Sequence, residues 1–440
     1  MAPTLGSYTS LPDGTLRHVH PITGTEVWAV PSRALRPFVN RQTIPPKVLP
    51  RQEREDHCDF CETNYLRTPP ERARLVRTAQ GRFELLERLD PDSVKFSKAS
   101  FRRLANLFEI VTYDYWVQNH QVTLSPTQAR WKKNYLENPK GLSHVQELMR
   151  TKLALAGKPS GEIDALLLAP PEGFYDWFFG GTHEVLAAGR HFRPGADRDD
   201  QLFYSGEMTP EEHAAYLNFA LEAALDIRSN NGKIRYVAIF QNWLKAAGAS
   251  FDHLHKQVIG MDQWGPGVEA RLQKAKGYPN IFNEALVDFS AEKDLIVAEN
   301  DHGVVLSEIG HPYPTLAVYS KSRAAHPWDH SSEEIRGISD LVHACHAAAG
   351  PQVPCNEAWF YAPWGSPTRF PWHILIHWRT VTSAGFEADT QIFVNPVPPA
   401  AFKEQITSKL SDLRSRGRIS NLRLGKEMTL KPSPLLYNRA

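Results

Sequence analysis

His253, His255 and Gln257 are spaced by two, so a β-strand would turn all three side chains to one face and leave Leu254 and Val258 to pack on the other. An imidazole is neutral near pH 7 and needs only orientation to attack phosphorus. Neutral donors beside it can stabilise the charge that builds on non-bridging oxygens. Such donors stand just upstream. Gln241 to Ser250 is crowded with small residues, which suits a loop whose backbone approaches a ligand closely, and Asn242 and Ser250 offer hydrogen bonds to phosphate. Gln257 adds an amide donor with no competing charge. His255 thus reads as a nucleophile toward phosphorus, with Ser250, Asn242 and Gln257 around it.

Cys58 and Cys61 form a Cys-x-x-Cys pair, half of a metal or redox site. Four cysteines in 440 residues exclude a disulfide scaffold, and Cys345 falls on the apolar face of an expected helix. Two thiolates and two imidazoles would close a tetrahedral structural site, for which zinc is the first expectation and iron a tolerated replacement. His253 is one candidate ligand, since binding it would lock the segment presenting His255, and His191 is the other. Spacing alone leaves the partners open among 18 histidines.

These residues need a scaffold, and the chain has length for two domains. Fifty Lys and Arg against 49 Asp and Glu give a net charge of +1, which argues against nucleic acid or a membrane surface as partner. The amino terminus has no charged n-region before an apolar run, and no stretch approaches the roughly 20 apolar residues of a membrane span, so a soluble, cytoplasmic protein is expected. His18 to Val30 reads as a hairpin turning at Pro21-Ile22-Thr23-Gly24, and residues of about 120 to 172 read as a helical insertion. Thr209-Pro210-Glu211-Glu212 is a helix-capping box, followed by a strand-like run and the histidine triplet. Ser331-Ser332-Glu333-Glu334 repeats the signal ahead of a strand ending at His377. The echo predicts an α+β protein of two related halves, 1–275 and 276–440, each an antiparallel sheet with packed helices.

The run from Phe240 to Gln257 resembles the active-site segment of galactose-1-phosphate uridylyltransferases, in the histidine-triad superfamily, matching as Phe240, Asn242, Ala246, Ala247, Gly248, Ser250, His253, His255 and Gln257. His20-Pro21-Ile22-Thr23-Gly24 with Arg33 and Arg36, the Cys58 to Cys61 pair, Gly181-Thr182-His183-Glu184-Val185 up to His191, and Gly385-Phe386-Glu387 resemble further segments of that family in order. The resemblance implies two histidine-triad-like halves in a homodimer, Cys58, Cys61, His191 and His253 as metal ligands, and Arg33 and Arg36 on nucleotide phosphates. It also implies Asn106 beside the nucleoside, Glu387 on the sugar, and a covalent nucleotidyl-His255 intermediate formed from a nucleotide sugar and resolved by a sugar 1-phosphate.

The chain departs from that pattern at three places. Leu254 replaces the proline between the histidines. Leu107, in Asn106-Leu107-Phe108, stands where an acidic residue helps hold uridine, and leucine cannot accept a hydrogen bond. Pro371 and Trp372 precede His373 where many relatives carry another histidine, so His373 and His377 read as a buried hydrogen-bonded pair rather than a second metal site. Hexose-1-phosphate uridylyl transfer leads the functional expectations. The alternatives are a phosphorylase that cleaves a nucleotide sugar or dinucleotide with inorganic phosphate, with adenine as the base, and a zinc-stabilised nucleotide-binding protein without catalysis.

Overall fold

Two sheets, antiparallel at every strand pair but one, form the framework of a computed structural model that describes residues 8–34 and 45–439. The strands, in chain order, are β1 (Tyr8–Ser10), β2 (Leu16–Val19), β3 (Glu26–Ala29), β4 (Glu71–Arg77), β5 (Phe83–Glu87), β6 (Ala99–Ala105), β7 (His183–Ala188) and β8 (Tyr236–Trp243). They continue as β9 (His255–Met261), β10 (Ile296–Glu299), β11 (Gly303–Ser307), β12 (Thr315–Ser320), β13 (Cys355–Phe360), β14 (His373–Trp378) and β15 (Ile392–Val394).

One sheet runs β10-β11-β12-β14-β13-β8-β9-β7-β6-β4-β5. Read outward from its middle, β8-β9-β7-β6-β4 faces β13-β14-β12-β11-β10, which is the order expected of a duplicated unit. The register agrees. Phe240 pairs with Gln257, and moving both 118 positions (240 to 358, 257 to 375) gives Ala358 paired with Leu375. Phe240 also pairs directly with Ala358, which places a pseudo-twofold axis between those two residues. The same shift carries His255 to His373 (255 to 373).

Two helices cover one face of this sheet, Pro210–Asn230 and Ser332–Ala349, and both begin with the capping boxes expected at Thr209 with Glu212 and Ser331 with Glu334. Their apolar sides supply Leu217, Leu221, Ile338 and Leu341 to the main core, where Cys345 is fully buried as expected. Beneath them Lys256 Nζ lies 2.5 Å from Glu357 Oε1, tying β9 to β13 across the two halves. His346 Nε2 and Trp359 Nε1 add contacts to the same carboxylate at 2.7 and 2.6 Å, so the buried charge is fully hydrogen-bonded.

The expected insertion is helical at Tyr113–His120, Pro126–Glu137, Pro139–Leu155 and Ser160–Leu168, with an aromatic core of its own around Trp131, Tyr135, Trp177 and Phe179. The amino-terminal hairpin is β2 and β3, and β15 joins it in parallel to give a second sheet, β1-β2-β3-β15. That sheet brings together segments more than 360 positions apart.

Buried neutral histidines give this fold an acid limit. Burial holds His18, His20, His183 and His343 down to about 4, well below the usual imidazole value. The unfolded chain takes up those protons as pH falls through about 6.5, whereas the folded chain does not until about 4, so stability is lost on acidification across that window. Each group adds about 1.4 kcal/mol of lost stability per pH unit between the two values. Urea midpoints should therefore fall steadily from pH 7 to pH 5, and an unchanged midpoint would contradict the buried neutral rings.

Candidate active site

The face of the large sheet opposite the helices Pro210–Asn230 and Ser332–Ala349 carries the candidate residues. Residues paired across antiparallel strands share a face, and Val185 pairs with Gln257, Ala187 with His255, and Asn356 with Asn242. His255 opens β9 and His253 lies in the bend just before it, so the expected strand begins two residues later than the triplet.

His255 is 3% exposed, and its Nδ1–H donates to the His253 carbonyl at 2.8 Å. That bond leaves the lone pair on Nε2, which has no hydrogen-bond partner among the described residues. Burial is the first cause that lowers the His255 pKa, to about 4, so the ring is neutral. Phe251 packs against the ring at 4.5 Å between centroids, and Phe60 lies parallel to it at 6.4 Å. The imidazole is therefore fixed in position, tautomer and charge state.

Phe60 belongs to the cysteine knuckle. Cys58 Sγ lies 3.8 Å from Cys61 Sγ, 3.3 Å from His191 Nδ1 and 3.4 Å from His253 Nδ1, and Cys61 Sγ is 3.7 Å from His191 Nδ1. A tetrahedral ion with metal–sulfur bonds of about 2.3 Å and metal–nitrogen bonds of about 2.0 Å gives sulfur–sulfur edges of about 3.8 Å and sulfur–nitrogen edges of about 3.5 Å. The four contacts lie close to those values, and all four ligand atoms fall within 4.8 Å of one another. His253 Nε2–H donates to the Ala188 carbonyl at 2.6 Å, which leaves Nδ1 as the ligating nitrogen. These four could hold a metal, and His253 then links such an ion to His255, whose ring its carbonyl orients.

Gln257 is held by a residue that the sequence did not single out for the site. Ile110 N–H donates to His183 Nδ1 at 3.0 Å, so the proton of His183 sits on Nε2 and is donated to Gln257 Oε1 at 2.9 Å. The NH₂ of Gln257 is then the end left for a ligand. Asn106 Nδ2 lies 3.0 Å from the same His183 nitrogen, but it is a donor facing a donor. Its oxygen instead accepts from Phe108 N–H at 2.9 Å. Leu107 packs against the core of the insertion. The only sequence signal for His183 is its place in the Gly-Gly-Thr-His-Glu-Val run.

The donor loop leaves β8 through Leu244, whose φ of 65° puts a leucine in the left-handed region, and turns back at Gly248, φ 87°. Such strain in a non-glycine residue persists only where the surroundings enforce it. Ser250 at the end of the loop is exposed, and its hydroxyl has no hydrogen-bond partner among the described residues.

The remaining candidates sit elsewhere. Arg33 is exposed on the short helix Pro31–Ala34, and Arg36 lies outside the described residues. Glu387 is on the helix Gly385–Thr390, next to β15, where its Oε2 accepts from Ala384 N–H at 2.8 Å. Burial opposes its ionisation, but backbone donors led by Ala384, together with the Arg33 charge, keep its pKa below the usual value. Arg33 and Glu387 thus share the small sheet, and no contact among the described residues joins them to His255.

In the second half, His373 repeats the orientation of His255, donating Nδ1–H to the Pro371 carbonyl at 2.8 Å, but Arg271 Nε–H occupies its Nε2 at 2.9 Å. His377 is half-buried and its Nδ1 lies 2.8 Å from Thr315 Oγ1, so the two rings are hydrogen-bonded separately rather than to each other. A second set of potential ligands, His20, Glu308 and His311, lies within 4.8 Å. It does not suit an ion. His20 Nδ1 accepts from Ile22 and Thr23 N–H at 3.2 and 3.1 Å, so its Nε2 keeps the proton, while Glu308 already accepts from Tyr319 and His311.

No helix among the described residues is long and apolar enough to cross a membrane. A protein curated as ADP-glucose phosphorylase from Arabidopsis thaliana is 24% identical over 179 residues, which is 39% of this chain and 51% of that protein, so the match spans about half of the relative's length. The crystal structure of an ADP-glucose phosphorylase from Arabidopsis thaliana with bound ADP-glucose superposes with a TM-score of 0.55 at 17% identity, covering 89% of this chain and 97% of that one. A galt-like protein from Arabidopsis thaliana gives 0.52 at 16% identity, with 80% and 91% covered. The expected α+β architecture of antiparallel sheet with packed helices is therefore the observed fold, and it matches that of these neighbours. A family profile matches residues 11–437, and the chain belongs to that family, described as Domain of unknown function (DUF4921).

Proposed function

We propose that the protein is a nucleotidyl-transferring enzyme in which His255 Nε2 attacks the α-phosphorus of a nucleotide sugar. A P–N bond forms as the bond to the sugar 1-phosphate oxygen breaks. A second phosphate oxygen then attacks the same phosphorus and leaves with the nucleotide, which restores the neutral imidazole. The single observation that supports this most is the orientation of His255: Nδ1–H is committed to the His253 carbonyl and the Nε2 lone pair is free. Asn242, Ser250 and Gln257 supply donors to the phosphate oxygens in this reading, while Arg33, Arg36 and Glu387 bind the rest of the substrate in a homodimer. A zinc ion on Cys58, Cys61, His191 and His253, replaceable by iron, would be structural, with every ligand position filled by protein.

Inorganic phosphate is the acceptor this reading favours, giving a nucleoside diphosphate and a sugar 1-phosphate. The likenesses to ADP-glucose phosphorylase support it, and so does Leu107, which offers uridine no acceptor and is packed against the insertion. Uridylyl transfer to a hexose 1-phosphate is the second reading and rests on the Phe240 to Gln257 motif. Incubation with ADP-glucose plus phosphate should yield ADP and glucose 1-phosphate. UDP-glucose plus galactose 1-phosphate should yield at most slow exchange, and the reverse ranking would install the second reading. Binding of both nucleotide sugars without turnover would reduce the protein to a non-catalytic binder.

His183→Phe tests the hold on Gln257. Without the Nε2–H donor the amide can rotate and present its oxygen to the phosphate. The expected result is about a tenfold fall in kcat with little change in KM, since a misplaced donor is felt most as charge develops. Steady-state kinetics showing an unchanged kcat would remove His183 from the account.

A further inference from the structure

The second half reaches into the phosphate-binding loop at one point. Asn356 on β13 pairs with Asn242 on β8, and its side chain is held from three sides. Asn356 Nδ2 donates to the Ala247 carbonyl at 2.7 Å and to Asn242 Oδ1 at 2.7 Å. Arg379 Nη1–H donates to Asn356 Oδ1 at 2.9 Å, and the Arg379 guanidinium lies 4.4 Å from the centre of the Tyr313 ring.

The chemistry of the partners fixes every orientation. A backbone carbonyl can only accept, so the Asn356 atom facing Ala247 is the NH₂. A guanidinium can only donate, so the atom facing Arg379 is the oxygen. Asn356 therefore donates to Asn242, the Asn242 atom receiving that bond is its oxygen, and the Asn242 NH₂ is left to face the loop. We propose that Asn356, held by Arg379, is a positioning residue that sets the Asn242 amide with its donor end toward the bound phosphate. The inference rests on the nucleotidyl-transfer reading above. It assigns the second half a direct part in the chemistry of the first.

The test is a double-mutant cycle on Asn242→Ala and Asn356→Ala, read as the single-turnover rate of nucleotidyl label appearing on the protein after mixing with ADP-glucose. Each single change should slow labelling by about 10- to 100-fold, the range for a lost oxyanion donor or somewhat below it. The double variant should be slowed by far less than the product of the two single losses, because Asn356 acts on the phosphate chiefly through Asn242 and adds only its bond to the Ala247 carbonyl. Asn356→Asp is the sharper arm. The carboxylate keeps its bond to Arg379 but accepts instead of donating, so Asn242 turns its oxygen toward the phosphate. It should label more slowly than Asn356→Ala.

Additive losses in the cycle, or Asn356→Asp faster than Asn356→Ala, would overturn the relay. If the unmodified protein takes up no label, the transfer reading fails and the cycle is read instead on affinity for ADP-glucose. There, coupling still supports the relay and additivity still overturns it. Absence of both labelling and binding overturns the relay along with the reading beneath it.

Discussion

His255→Asn should leave a folded, metal-loaded protein whose turnover of nucleotide sugar is lower by about 10⁴-fold or more, the scale on which loss of a covalent nucleophile is felt. Asparagine is close in size to the first atoms of the imidazole and can still donate to the His253 carbonyl, so the neighbouring packing of Phe60 and Phe251 has little reason to change. The loss is chemical, because an amide nitrogen has no lone pair able to attack phosphorus. Steady-state assays with ADP-glucose and phosphate, paired with a melting curve, separate that loss from unfolding. A variant within tenfold of the parent would mean that phosphate attacks directly and His255 does not carry the nucleotide.

The second large effect concerns the knuckle. Cys58 contacts His191 and His253 across 133 and 195 positions, so an ion on these residues would cross-link segments that are distant in sequence. Cys61→Ala, or dialysis against a strong chelator, should remove about one equivalent of metal per chain and lower Tm by about 5 °C or more. That figure follows from several kcal/mol lost in a protein of this size. Catalysis should fall as well, since Phe60 packs beside His255 and His253 carries the carbonyl that orients it. Elemental analysis with calorimetry reads both quantities. A parent protein with no bound metal, or a chelated one with unchanged Tm, would mean that the four side chains hold one another as hydrogen-bonded thiols and imidazoles.

Much of this architecture is legible along the chain because its signals are local. The boxes at Thr209 and Ser331 mark helix starts through side chains three residues apart, and the forty or so residues from each cap to a histidine strand already suggest a duplication. His255, the loop from Asn242 to Ser250 and the four knuckle residues are likewise singled out by short motifs and the family resemblance, and the structure places them in one region. What escaped depends on pairing between distant strands. His183 orients Gln257 only because β7 lies beside β9, and Asn356 reaches Asn242 only because β13 meets β8 at the pseudo-twofold axis. The blocking of His373 needs Arg271, from a helix more than a hundred positions earlier. The parallel pairing of β15 with β3, which puts Glu387 near Arg33, has no local signature at all. Strand order sets these contacts, and residue spacing does not encode it.

The covalent intermediate is the claim on which the rest depends. Intact-protein mass spectrometry after mixing with ADP-glucose alone, without an acceptor, tests it in one step. The account predicts a mass increase of one adenylyl group on the parent protein, labile to acid and stable to base as a phosphoramidate should be, and absent from His255→Asn. No adduct with ADP-, UDP- or GDP-sugars, from a protein that nonetheless binds them, would contradict it.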